Sequence, residues 1–363
     1  MNKGFQKKYL LYLLVFLGFI GSMLFVYHNH DFYERTILKV TETIETDRIE
    51  ITDNYENKDY LVTQKITAVI QNGEDKGKTI ELENQYSGSQ ATHFQLKEGT
   101  EFFLAKDGSS VGDIKRDKYL VLVAWLFIII LLLVGKKQGA LSVVSLAVNA
   151  VILSVALDIY IRNSDNSLLI ICGISIILFT VLSLIMASGL NEKTYTAIIA
   201  TLLSTFASLL IAYVALLVTK EQGIRYEEMA FLTRNPQIIF MGGLLIGSLG
   251  AVMDVAITMS SSIFELFEKN NEIKLSILKK SGLEIGKDIM GTMTNILFFA
   301  YVSGTIPALL LYFKNASPLG FTLSMNLSVE LARALAGGIG IVLTIPITLY
   351  ISIFFIKRKQ AKL

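Results

Sequence analysis

The residues with chemistry to offer lie in three apolar stretches in the second half of the chain. Along the run near Ile238–Phe264 stand Gly243, Gly247, Gly250, Asp254, Thr258, Ser261 and Glu265, each three or four residues from the next. On an α-helix that spacing puts all of them on one face. A carboxylate on a helix surrounded by hydrocarbon costs about 2.5–3.5 kcal/mol, so it is expected to face a bundle interior or a cavity, where proton relay is the chemistry it offers. No basic residue in the same run can neutralise Asp254. The next run, near Ile289–Phe313, is preceded by Lys287 and Asp288 and carries Gly291, Thr292, Thr294 and Asn295. Asp254 and Asn295 each lie about ten residues from one end of their helix, which at 1.5 Å per residue gives them a shared depth. The last run, near Leu327–Ile356, carries Glu330, Arg333, Gly337, Gly340, Thr344 and Thr348 on one face, with Glu330 and Arg333 spaced to pair.

Each of these has a plainer use. Small residues let helices approach closely, and hydroxyls bond across them. Gly243, Gly247, Gly250, Gly291, Gly337 and Gly340 are therefore expected at helix contacts. Glu330–Arg333 serves equally as a structural ion pair, and Asp288, near an interface, as a solvated group or a partner of Lys287. Asp254 is the residue expected to do chemistry, with Asn295, Asp288, Glu330, Arg333 and Glu265 as the other candidates for a polar path.

Other chemistries are excluded more firmly. The sequence has no H-E-x-x-H and no G-x-S-x-G, and Asp254 and Asp288 lack the Gly-x-Gly-Asp context of intramembrane aspartyl proteases, so no enzyme is expected. The segment Gly73–Thr79 has three residues between its glycines, one short of a phosphate loop, and a strand is predicted after it. His28, His30, Asp31 and Glu34 are spaced like metal ligands but read as ordinary polar residues beside a membrane; no metal or cofactor is expected.

The elements that must position these residues follow from hydropathy. The chain of 363 residues is 52% hydrophobic, with a mean hydropathy of +0.53, and a net charge of +2 excludes a nucleic-acid binder. About 20 apolar residues cross a bilayer core. Runs of that kind fall near Tyr9–Tyr27, Tyr119–Val134, Gly139–Tyr160, Leu168–Ala187 and Thr196–Thr219, and the three described above bring the total to about eight spans. With the N-terminus inside, Lys3, Lys7, Lys8, Lys136, Lys137, Lys193, Lys269, Lys274, Lys279, Lys280, Lys287, Lys357, Arg358, Lys359 and Lys362 all fall on the inner side. Only Arg162, Lys220, Arg225, Arg234 and Lys314 fall on short outer loops, a roughly threefold bias of the sign that sets orientation. The first run has no A-x-A site after it and reads as an uncleaved anchor.

Residues 28–117 are different in kind, polar and rich in β-formers. Ile37–Thr46, Tyr60–Gln71, Lys78–Gln85 and Glu101–Lys106 read as strands, with turns at Asn72-Gly73, Glu98-Gly99 and Asp107-Gly108. Short strands in about 90 residues predict a small all-β, OB-like barrel outside the membrane. The single cysteine, Cys172, permits no disulfide, so that domain must rest on its own core. The expected division is an anchor at 1–27, an extracytoplasmic β domain at 28–117 and a seven-helix core at 118–363.

Three stretches carry a resemblance. Gly250-Ala-Val-Met-Asp-Val-Ala256 with Ser262-Ile-Phe-Glu-Leu266 is one, and Gly286-Lys-Asp-Ile-Met-Gly-Thr-Met-Thr-Asn295 is the second. Glu330-Leu-Ala-Arg-Ala334 with Gly337 and Leu343-Thr-Ile-Pro346 is the third. Together they resemble the YibE/F-like family of bacterial multi-pass membrane proteins. The likeness extends over the whole layout, including the Lys76-Gly-Lys78 and Lys97-Glu-Gly99 turns, and implies a fold rather than a mechanism. Met253-Asp254, Phe264-Glu265, the Lys-rich loop, Asp288 with Asn295 and Thr344-Ile-Pro346 are also similar in order to resistance–nodulation–division permeases, whose Asp relays protons. That similarity implies transport; the twelve-span plan of those permeases is absent.

The sequence thus points to a transporter or permease-like component of a bacterial cytoplasmic membrane, both termini cytoplasmic, with the lipid bilayer as its first partner. The alternative is an envelope scaffold or sensor whose external domain binds another membrane or envelope protein. Orientation is tested with single cysteines. A cysteine replacing Asp107 should react with an impermeant maleimide in intact cells, and one replacing Lys359 only after permeabilisation; the reverse pattern overturns the assignment.

Overall fold

A computed structural model describes residues 3–53, 56–89, 93–162, 167–226 and 234–360; the basic Lys362 lies outside them. Two compact units divide the chain, Met1–Val134 and Gly135–Leu363.

In the first unit, helix α1 (Lys3–His28) leads through a single 3₁₀ turn into strands β1 (Ile37–Thr52), β2 (Lys58–Ile70), β3 (Thr79–Ser87), β4 (Glu101–Leu104) and β5 (Val111–Ile114). All neighbouring pairs are antiparallel, in the order β3-β2-β1-β4-β5. No ladder joins the edges β3 and β5 among the described residues, so the sheet stays open where a closed barrel was expected. The physical reason is the length of β4 and β5, four residues each, which leaves too little strand for the tilt and stagger of closure. Strand β5 is too short to stand out by alternation. The expected turn glycines Gly73, Gly99 and Gly108 all take positive φ, where a side chain would be strained.

The sheet's core is the alternating face of β2, Ile66, Ala68 and Ile70, packed with Leu38, Val40, Leu96 and Phe102. Gln64 is buried in the same row and is satisfied from all sides. Its amide donates to the Leu96 carbonyl at 2.7 Å and to Thr43, while its oxygen accepts from the Leu96 N–H at 3.2 Å. Asn72, expected as a turn residue, does more. Its Oδ1 accepts from the Ile37 N–H at 2.7 Å, and its Nδ2 donates to the carbonyls of His30, Tyr33 and Arg35. Burial, and then the hydrogen bond Tyr86 donates to Glu45, push the Tyr86 phenol up to about 12. The neutral phenol therefore stabilises the sheet up to the ordinary tyrosine range, and that contribution is lost as pH rises through about 12.

Where the sheet meets the helices of its own unit lies Lys115, 1% exposed. Its ammonium donates to the Val26 carbonyl at 3.1 Å and to Asp117 Oδ1 at 2.9 Å, and pairs with Glu101 Oε2 at 3.5 Å. Asn29 and Tyr33 donate to the other oxygen of Asp117 at 2.9 and 3.0 Å. Burial and this bond to Asp117 raise the Tyr33 phenol above its usual range. Helix α2 (Asp117–Arg162) is interrupted at Lys136, whose φ of 48° and ψ of −123° are non-helical. The two apolar runs expected at 119–134 and 139–160 lie on its two limbs. The first limb packs on α1, Trp125 donating to Ser22 at 2.6 Å and meeting Phe19 edge-on.

The second unit holds the rest of α2, then α3 (Leu168–Ser188), α4 (Glu192–Thr219), α5 (Pro236–Lys269), α6 (Leu275–Lys314) and α7 (Leu319–Gln360). Six helices, α2 to α7, are long and apolar enough to cross a membrane. Asn191 caps α4 by accepting from the Thr194 N–H. Asn235 caps α5 with Pro236 in the first turn, a position where its missing N–H costs nothing. The core runs between α5, α6 and α7 through Val252, Val255, Met259, Ile263, Leu297, Ile341, Ile345 and Leu349.

Replacing Lys115 with Met strands two carboxylates in the junction and should lower unfolding stability by about 3–5 kcal/mol. Fluorescence of Trp125, the one tryptophan of the chain, reads the transition in denaturant. A loss below about 1 kcal/mol means the junction rests on packing instead.

Candidate functional site

Close helix approach decides where polar side chains of the second unit end up. A Cβ on Gly337 would come 2.5 Å from Leu297, and one on Gly340 would come 3.1 Å from Val252 and 3.3 Å from Ser208. At Gly282 it would come 2.6 Å from Leu349, and at Gly286 it would collide with Ile345. Glycines on α6 and α7 therefore let α7 pack tightly on three neighbours. Gly250 and Gly291 differ, with no atom within 4 Å of a Cβ built on either.

One polar cluster forms where α5, α6 and α7 converge. Arg333 Nη1 donates to Glu330 Oε1 at 2.5 Å, both side chains about one-fifth exposed. The guanidinium lies over Phe240 at 5.7 Å. Gly243 leaves room for it, since a Cβ there would come 3.4 Å from Arg333 Nη2. One turn along α5, Gly247 meets the hydroxyl of Tyr301, where a larger residue would collide. Tyr301 Oη and Arg333 Nε are buried without a hydrogen-bond partner among the described residues. Tyr301, which the sequence did not single out, thus stands beside the expected pair without bonding to it among the described residues.

Asp254 sits elsewhere. With Gly247, Gly250, Thr258 and Glu265 it is exposed on the face of α5 left open, not in the interior where a carboxylate was expected. The reason is the register of α5. Val252, Val255, Ala256, Met259 and Ser260 fill the buried sector, and a residue two after Val252 and one before Val255 points away from both. Asn295, Asp288 and Gly291 are likewise exposed on α6. The contact of Gly247 with Tyr301 fixes the antiparallel register of α5 and α6. Seven residues on from Gly247 and back from Tyr301, Asp254 falls at the depth of Thr294 and Asn295. No hydrogen bond or ion pair joins Asp254 to Asn295 or Asp288 among the described residues. Glu265 instead pairs with Lys269 at 2.8 Å in an exposed i,i+4 bridge.

A second polar population was picked out by the sequence only at Thr344 and Thr348. Along α4, Thr194, Thr196, Thr201, Ser204, Thr205 and Ser208 are fully buried, as are Thr344, Thr348 and Ser352 along α7, Ser260 on α5 and Thr180 on α3. The signal was present as the three- and four-residue spacing of hydroxyls in α4, but without a charge it looked like packing.

In the first unit, His30 Nε2 lies 3.4 Å from Glu101, Asp31 pairs with Lys76, and His28 bonds the Leu24 carbonyl of its own helix. No group of three or more metal-ligating side chains forms among the described residues.

A sheet domain on an apolar helix, followed by a bundle of long apolar helices, makes this a multi-pass membrane protein by composition and length. The YibE/F-like protein family matches residues 123–358, and the YibE/F family N-terminal domain matches residues 31–116. The chain belongs to the YibE/F-like family. No curated protein and no solved structure matches it.

The Arg333 cluster is tested by a double-mutant cycle. Arg333→Gln and Glu330→Gln each break the bond between the two, so the loss in the double variant should be smaller than the sum of the single losses by about 0.5 kcal/mol or more. Additive losses would mean the two residues act independently.

Proposed function

We propose that this protein is a transporter or permease-like component of a bacterial cytoplasmic membrane, with Asp254 as a proton-relay carboxylate. The observation that carries the reading is the α5 face itself. Halfway along a helix long enough to span a bilayer, Asp254 stands exposed among Gly247, Gly250 and Thr258, with no cation paired to it among the described residues. In hydrocarbon such a face is costly, so a carboxylate kept there is kept for a task, and it needs a polar surface or a partner helix to meet. Thr294 and Asn295 stand at the same depth on α6 by register, and Asp288, Glu330 and Arg333 extend the path towards the two ends. The similarity in order to proton-driven permeases supports the same reading. The two limbs of α2 and the apolar α1 support eight crossings, and the basic residues support cytoplasmic termini. No enzymatic step is part of the proposal.

A second reading has its own observation. Strand β1 runs past the core of the sheet, and Ile44, Ile49 and Ile51 on it are exposed, a hairpin shaped to meet a protein partner. On that reading the chain is a scaffold or sensor, and deleting residues 35–115 removes function while Asp254→Asn does not.

The deciding experiment needs no known substrate. An apolar carbodiimide, which reacts with protonated carboxyls in apolar surroundings, is applied to native membranes near neutral pH and its site read by mass spectrometry. Modification at Asp254, abolished in Asp254→Asn, is the expected outcome. An unmodified Asp254, together with an unchanged phenotype of the Asn variant, ends the relay reading and moves the scaffold reading ahead.

A further inference from the structure

The buried hydroxyls of α4 and α7 form a set that packing alone does not explain. A serine or threonine inside a helix ordinarily donates to the carbonyl four residues back. Thr344 does so, to Gly340 at 2.7 Å, and Ser248 to Leu244 at 2.9 Å; Ser208 reaches across to Ala336 on α7 at 2.5 Å. The hydroxyl oxygens of Thr201, Ser204, Thr205 and Thr348 do none of these things. Each belongs to a residue with no exposed surface, and each is without a hydrogen-bond partner among the described residues. A buried hydroxyl without a partner is costly, so four on facing turns of α4 and α7 call for a ligand.

They lie within about one helical turn of one another, because the register of α4 and α7 is pinned at two places. Ser208 meets Gly340, and Lys359 pairs with Glu192 at 3.9 Å. Between those points the helices run antiparallel, so each step up α4 is matched by a step down α7. Thr344 comes opposite Ser204, and Thr348 comes opposite Ala200 and Thr201. Ala256 of α5, fully buried and clustered with Ala197 and Ala200, keeps the third side of the junction small.

We infer that this layer, where α4, α5 and α7 meet, binds a dehydrated alkali cation through the hydroxyl oxygens of Thr201, Ser204, Thr205 and Thr348. Hard cations take oxygen ligands, and a ring of neutral oxygens replaces the hydration shell of a monovalent ion. The absence of a carboxylate from the layer argues against a divalent ion, which needs negative ligands to repay its dehydration. Asp254 is not a ligand, so this inference stands apart from the proton-relay reading.

The test is the thermal unfolding of the purified full-length protein in detergent, in NaCl, LiCl, KCl and choline chloride at equal ionic strength. A ligand that binds only the folded state raises the midpoint with its concentration. Na⁺ should raise it by a few degrees over choline and saturate, and Asp254→Asn should keep that shift. Thr205→Val and Thr348→Val preserve shape and remove one ligand each. They should lose the Na⁺ shift while unfolding in choline at or above the wild-type temperature, since an unpaired hydroxyl has been removed. Midpoints indifferent to the cation overturn the proposal, as does a Na⁺ shift that survives both substitutions. If a valine variant fails to fold, Ser204→Ala takes its place: loss of the Na⁺ shift supports the site, and an unchanged shift overturns it.

Discussion

One buried ammonium holds together the place where the chain changes solvent. Lys115 donates to the last turn of α1 and to the first residue of α2 through Asp117, and pairs with Glu101 of β4. The sheet could not otherwise keep a fixed stance on its own two helices, because the segments on either side are single strands of chain. A charge this deep is costly, and the cost is offset by two donated hydrogen bonds and two carboxylates beside the ammonium. Asn72 performs the neutral equivalent on the other side, tying three carbonyls of the 30–35 segment and the first N–H of β1 into one amide. Together these two side chains turn a flexible exit from the membrane into a defined corner.

The helical unit follows a different constraint. Lipid offers no hydrophobic force to drive one helix against another, so helices associate where backbones come close and polar groups meet. Helix α7 fulfils both conditions, with Gly337 and Gly340 against Leu297, Val252 and Ser208, and with threonines and serines facing inward. Helix α5 splits its surface more sharply. One side is the apolar seam with α7, and the other is the open face with Asp254. The same unit therefore keeps the hydroxyls of α4 and α7 in its interior and turns Asp254 outward.

That arrangement bears on how such a protein works. On the proposed readings the carboxylate on the open face would serve the proton relay, and the layer of hydroxyls inside would serve a separate cation. The Arg333, Glu330 and Tyr301 cluster lies apart from both, where three helices meet near the start of α5.

The sequence by itself determined which segments live in lipid, where the sheet begins and ends, which glycines turn it and which residues share a helical face, because hydropathy and periodicity are local properties. It placed Asp254 and Asn295 at one depth for the same reason. It could not tell which way that face points, because this depends on where α5 meets α3, α4, α6 and α7, a choice made by Val252, Val255 and Met259 finding partners far along the chain. Nor could it find the Lys115 junction, whose members are separated by up to 89 residues, or the layer shared by Thr201 and Thr348. Closure of the sheet was also a tertiary matter, since β4 and β5 are too short to complete a barrel whatever their composition. Burial and contact across the chain are decided only when helices choose neighbours, and it is there that an ordinary threonine becomes an orphaned oxygen and a conspicuous aspartate is turned outward.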